Sequence, residues 1–214
     1  MVSFYVKDCT LAVISTGESA SSLTELRDLI SRVSGNSLYY HFWGGRMRPS
    51  FLHSEYLNDF AYLAHFSLHD DILAERLEII VPNDYEAMEE LRLVLLEIIE
   101  QRIDETDHVF WLKKEAKFYF LSSTIIVFDT PIVLAHPAEL KTVLPTLSSN
   151  AIYYHFIDAR RRTRHNIDDF SSWLDSYEGE YTELIQKIQH IDPYFFPLTE
   201  IKQSLSQLFN ELIP

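Results

Sequence analysis

Leu38-Tyr39-Tyr40-His41-Phe42 returns 114 residues later as Ile152-Tyr153-Tyr154-His155-Phe156. At the same spacing Phe4-Tyr5 answers Phe118-Tyr119, Thr10 answers Thr124, Val13 answers Val127 and Thr16 answers Thr130. The register continues without a gap through Glu25-Leu26 with Glu139-Leu140, Ser34 with Ser148, and Asn36 with Asn150. It ends with Arg46 and Arg48 against Arg160 and Arg162. The first copy then carries an insertion, and Asp59-Phe60 meets Asp169-Phe170 at a spacing of 110. So many identities in one register point to a tandem duplication, which decides the fold class before any single element is read. The expected units are residues 1–104 and 117–214, joined by a charged linker over 105–116.

Each copy opens with an extended segment, Ser3 to Ile14 and Lys117 to Phe128, rich in aromatic and β-branched residues. Helical spacing follows in Leu23, Leu26, Leu29, Ile30 and Val33 behind Ser21 or Ser22, and in Leu140, Val143, Leu144 and Leu147 after Pro137. Asn36 and Asn150 are placed to cap the aromatic helix, which is apolar nearly all round and therefore buried on more than one side. Asn58 or Asp59 and Asp168 or Asp169 cap the next helix. Two more helices complete each unit, the last with Met88, Leu91, Leu95, Ile98 and Ile99 on one face. Its counterpart uses Leu198, Ile201, Leu205, Leu208, Phe209 and Leu212. The expectation is a mostly α fold of the α+β class, with one short β segment and four to five helices per unit. The two units are expected to pack with pseudo-twofold symmetry.

The 214 residues are 47% hydrophobic and 14% aromatic, with five glycines, a composition that buries a core. A formal charge of −14 repels phosphate backbones and anionic lipid, so neither nucleic acid nor a membrane surface is an expected partner. Cys9 is the single cysteine, the first residues lack the features of a signal peptide, and no apolar run is long enough to span a bilayer. The cytoplasm is the expected compartment.

Tyr-Tyr-His-Phe (Tyr39 to Phe42), Arg46-x-Arg48, Asn58-Asp59-Phe60, Leu73-Ala74-Glu75-Arg76-Leu77 and Ile80-x-Pro82 together resemble a prokaryotic family defined only as a domain of unknown function. With the second copy the resemblance covers nearly the whole chain. The second copy departs from it at Leu184 to Ile188. The resemblance implies a fold and a genomic setting near enzymes of glycan or trehalose-type sugar metabolism, and it transfers no catalytic residue.

The repeated polar set is Tyr40, His41, Arg46, Arg48 and Asp59, answered by Tyr154, His155, Arg160, Arg162 and Asp169. Lining a pocket, these side chains suit an anionic or sugar-like ligand, because guanidinium donates two parallel hydrogen bonds to phosphate or carboxylate. Alternatively the histidines bond the start of the following helix and the arginines pair with acidic neighbours, since buried polar groups must be satisfied. Arg160 to His165 is the one basic cluster, an anion or acidic-partner site or else a solvated helix end. His65 and His69 stand at a metal-compatible spacing before Asp70-Asp71, but further ligands are missing, so no metal and no cofactor are expected. Glycine-loop, nucleophile-elbow and nucleotide motifs are absent. The functional expectation is a non-catalytic module that binds a protein partner or regulates a carbohydrate enzyme. The alternative is a sensor or enzyme for a small anionic or sugar-phosphate ligand, with its pocket between the units.

Overall fold

The computed structural model describes residues 2–47, 56–106, 117–163 and 166–213. Most of these are helical. The β component is two long strands, β1 (Phe4–Ala20) and β2 (Phe118–Leu134), paired with each other as an antiparallel two-stranded sheet. Each strand runs six residues past its expected end at Ile14 or Phe128. The sequence stops there because Ser-Thr-Gly and Asp-Thr-Pro read as turns. Instead the Thr16 hydroxyl donates to the Phe120 carbonyl at 2.7 Å and the Thr130 hydroxyl to the Val6 carbonyl at 2.6 Å, which ties each supposed turn to the facing strand. Pro131 is tolerated because a two-stranded ribbon has an outer edge that needs no donor.

The chain resolves into two compact units, residues 11–124 and residues 1–10 with 125–214. The opening ten residues thus pack with the helices of residues 125–214, and residues 118–124 with those of residues 11–106. Thr16 and Phe120 belong to one compact unit, Val6 and Thr130 to the other. Residues 107–116 of the expected linker lie outside the described residues.

The 11–124 unit contains α1 (Leu23–Ile30), α2 (Gly35–Trp43), α3 (Asp59–Leu63), α4 (Asp71–Glu78) and α5 (Met88–Asp104). Side-chain oxygens cap four of them: Ser22 for α1, Ser34 for α2, Asn58 for α3 and Asp70 for α4. All residues from Ser37 to Trp43 are buried, matching the absence of a polar stripe. Leu26, Ile30, Phe42, Phe60, Leu91, Leu95 and Ile99 form the centre of this unit's core.

The other unit contains α6 (Leu140–Val143), α7 (Ser149–Ile152), α8 (Ala159–Arg162), α9 (Asp169–Asp175), α10 (Thr182–Gln189) and α11 (Leu198–Leu212). Between α7 and α8 the segment Tyr153–Asp158 is wound as a π-helix, so the aromatic run continues with a wider turn. Ser148 caps α7 and Asp168 caps α9. Thus Ser34 and Ser148, not Asn36 and Asn150, cap the aromatic helices. Those helices begin at Gly35 and Ser149, which places both asparagines inside the first turn. Among the described residues no helix is long and apolar enough to cross a membrane.

Candidate functional site

His155 is 3% exposed and both of its ring nitrogens are engaged. Nδ1 lies 2.8 Å from Asp169 Oδ2, and Nε2 accepts the backbone N–H of Lys7 at 2.9 Å. A carboxylate can only accept and an amide can only donate, so the ring satisfies both as the neutral tautomer with its proton on Nδ1. Phe4, Tyr154 and Phe170 surround it at ring-centroid distances of 4.9, 5.0 and 5.7 Å. His41 repeats the arrangement within the 11–124 unit. Its Nδ1 is 2.8 Å from Asp59 Oδ2, its Nε2 accepts from the Leu121 amide at 3.1 Å, and Phe118 packs at 4.8 Å. Asp59 and Asp169 are the first residues of α3 and α9, where free helix amides favour an anion. Each histidine therefore joins a helix start to a strand, and no ring nitrogen is left over for proton transfer.

Arg162 is held as firmly. Arg162 donates to Asp158 Oδ2 at 2.7 Å, to the Tyr154 carbonyl at 2.9 Å and to Asp169 Oδ2 at 3.1 Å, with its guanidinium 4.0 Å from the centre of the Tyr154 ring. Asp158, 2% exposed, also takes Arg161 at 3.3 Å. Arg160 donates to the Phe156 carbonyl and lies over the Phe156 ring, within the field of Asp168 and Asp192. Arg46 sits in the short 3₁₀ turn Gly44–Met47 near Glu78, whose carboxyl is pushed up by burial against the opposing pull of the Leu57 amide and Arg46. Arg48, Arg164 and His165 lie outside the described residues.

Asp168 is fully buried, and burial raises its pKa despite hydrogen bonds from the Ser171 amide and hydroxyl and the nearby Arg160 charge. A carboxyl whose folded pKa exceeds its unfolded value binds more protons when folded, so its contribution to stability falls as pH rises through that window. Asp168→Asn keeps an amide oxygen for the cap, as Asn58 does for α3. The variant is expected to lose this component. Its urea midpoint relative to wild type should shift in the variant's favour as pH rises from the ordinary aspartate range toward neutrality. Parallel midpoint-against-pH curves would contradict it.

Four residues of the expected set, Tyr154, His155, Arg162 and Asp169, line one open groove of about 360 Å³ in the unit formed by residues 1–10 and 125–214. Another wall is formed by Val2 to Tyr5 with Lys7, and the remaining boundary is α9 through Ser172 and Trp173, with Ser176 at its C-terminal cap. Arg160 lies outside this lining, and Tyr40, His41 and Asp59 belong to the other compact unit. The strand residues and the α9 serines escaped sequence reasoning. Their one local signal is that Asp169, Ser172 and Ser176 share a helical face at spacings of three and four.

His65 Nδ1 lies 2.6 Å from Asp71 Oδ1, while His69 leaves the helix with φ +55°, so the two imidazoles share no continuous helical face. Among the described residues no three or more His, Cys, Asp and Glu side chains group as a metal cage. Cys9 is buried and donates to the Asn150 carbonyl. Its thiol is pushed up to about 12, first by burial and then by Asp8, which keeps it protonated and poorly nucleophilic at neutral pH.

A family model described as "Family of unknown function (DUF5752)" matches residues 1–210. Among solved structures, OrfY from Thermoproteus tenax superposes with a TM-score of 0.84 at 24% identity, covering 99% of this chain and 96% of that one, a likeness that establishes the fold alone. No curated protein matches the chain.

Proposed function

This chain belongs to the Family of unknown function (DUF5752), and on that premise we propose that it is a non-catalytic binding or regulatory module, accessory to carbohydrate metabolism. One observation carries the reading: each of the two repeated histidines has both ring nitrogens committed, one to a carboxylate and one to a backbone amide. A general base needs a free lone pair within reach of a substrate, and these have none. With Arg162 tied to two carboxylates, the two histidines, their aspartates and Arg162 hold the protein together rather than acting on a reactant.

On the same proposal the chain is a tandem duplication of residues 1–104 and 117–214 about a linker at 105–116, the copies related by a pseudo-twofold axis, working in the cytoplasm. The matching Asp–His–amide geometry of the two copies supports it. The occupant on this reading is a protein partner or a small molecule. The groove beside Tyr154, Arg162 and Asp169 favours a sensor that reports a bound small molecule.

The test is to incubate the full chain with glycosides, sugar phosphates and sugar nucleotides and follow their ¹H and ³¹P spectra. Unchanged small molecules are the expected result. Product that forms with the wild type and disappears in a folded His155→Gln variant would overturn the reading.

A further inference from the structure

We infer that the groove beside α9 receives an uncharged sugar ring, an inference that rests on the binding-module reading and deepens it. The first argument is charge. Arg162, the guanidinium at the groove, already faces Asp158 and Asp169 at 2.7 and 3.1 Å, and the Lys7 ammonium is 3.1 Å from Asp129 Oδ1. A phosphate entering here would compete with carboxylates for both cations and meet their repulsion at close range. A neutral polyol faces no such penalty. It finds the Ser172 hydroxyl, the Ser176 oxygen, whose proton goes to the Trp173 carbonyl, the Lys7 ammonium and the Asp169 carboxylate, a mixture of donors and acceptors suited to groups that both donate and accept.

The second argument is shape. Phe4, His155 and Trp173 form the buried floor of the groove, Phe4 and Trp173 packing at 5.1 Å between centroids, and its accessible aromatic surface is Tyr5, 62% exposed. Ring carbons carrying axial hydrogens pack on the Tyr5 ring while the equatorial hydroxyls reach outward to the polar rim. About 360 Å³ is at the small end of ligand sites, enough for one or two rings.

The third argument is that the copies differ here while agreeing on the scaffold. The Asp–His bridge recurs in both units. At the positions aligned with Ser172, Trp173 and Ser176, the first copy has Tyr62, Leu63 and Phe66, and the Tyr62 and Phe66 rings pack on each other at 4.6 Å. A feature that the fold itself demanded would recur like the bridge. The serines do not, so they mark a property of this one groove.

The first copy also supplies the test. Ser172→Tyr with Ser176→Phe places in α9 and at its C-terminal cap the side chains that residues 11–124 already carry in α3 and in the π-helical segment Ala64–Leu68 after it, filling the groove from its rim. With ¹⁵N-labelled full-length protein, titration with glucose and with maltose is expected to give saturable shifts centred on Ser172, Ser176 and the Trp173 indole N–H. Inorganic phosphate should leave those signals in place, and glucose 6-phosphate should bind no tighter than glucose. The double variant should weaken sugar binding by about tenfold or more at an unchanged thermal midpoint. If the bulky pair unfolds the protein, Ser172→Ala with Ser176→Ala serves instead, with an expected loss of several-fold. Three results each overturn the inference: no saturable shift with either sugar, sugar binding unaffected in a folded variant, or phosphate alone reproducing the shifts. None of them touches the non-catalytic reading, which fails only on turnover.

Discussion

Replacing His155 or His41 by alanine is expected to cost roughly 3 to 5 kcal/mol of folding stability, read as a large fall in the urea midpoint at unchanged slope. The substitution has two effects. It leaves the Lys7 or Leu121 amide without its acceptor and removes the imidazole donor from the Asp169 or Asp59 carboxylate, in sites where the ring is 3% exposed. It also leaves a ring-sized void among Phe4, Tyr154 and Phe170, or among Phe118, Tyr40 and Phe60. Glutamine can place an acceptor near the lost Nε2, so His155→Gln should recover part of the loss. An alanine variant with wild-type stability would show that the bridge is incidental and would reopen the histidines to a chemical role.

A break in the backbone between Thr106 and Lys117 is expected to leave the two halves associated. The reason is that residues 1–10 pack with 125–214, while β2 residues 118–124 pack with 11–106. Phe4 lies against His155, Phe170 and Trp173, and the Trp173 indole donates to the Val2 carbonyl at 2.6 Å. Reciprocally, Phe118 and Phe120 pack on His41, with Phe120 fully buried. Burying a large apolar side chain is worth about 1.5 to 3 kcal/mol, so several of them per half hold the pieces together. A protease site placed in that stretch should, once cut, yield one species at the elution volume of the intact chain. Residues 117–214 expressed alone should fail to fold cooperatively, lacking Phe4, Val6 and Cys9 from their core. Cut halves that separate freely under native conditions would refute this account.

Much of the local structure was legible. Ser22, Asn58 and Asp168 cap the helices they precede, because a short acceptor before an apolar period is a local signal. The α11 positions Leu198, Ile201, Leu205 and Phe209 are buried as their spacing requires. Ser34 and Ser148 carry a weaker signal, because a following glycine or second serine reads as turn rather than helix start. Gly17 and Pro131 hid the true length of the strands for the same reason: each breaks a strand in isolation, and the facing strand's carbonyls are invisible to a local window.

Sequence by itself determined the helical periods, most of the caps, the charge balance and the recurrence of Tyr-Tyr-His-Phe, since each depends on residues a few positions apart. Only the tertiary structure decided what the histidines do. The partners of His41 and His155 on the strand side, Leu121 and Lys7, are 80 and 148 residues away and are backbone amides, which carry no side-chain signature. The groove was decided the same way, because its walls come from the start of β1 and from α9, brought together by a chain path that no spacing rule records.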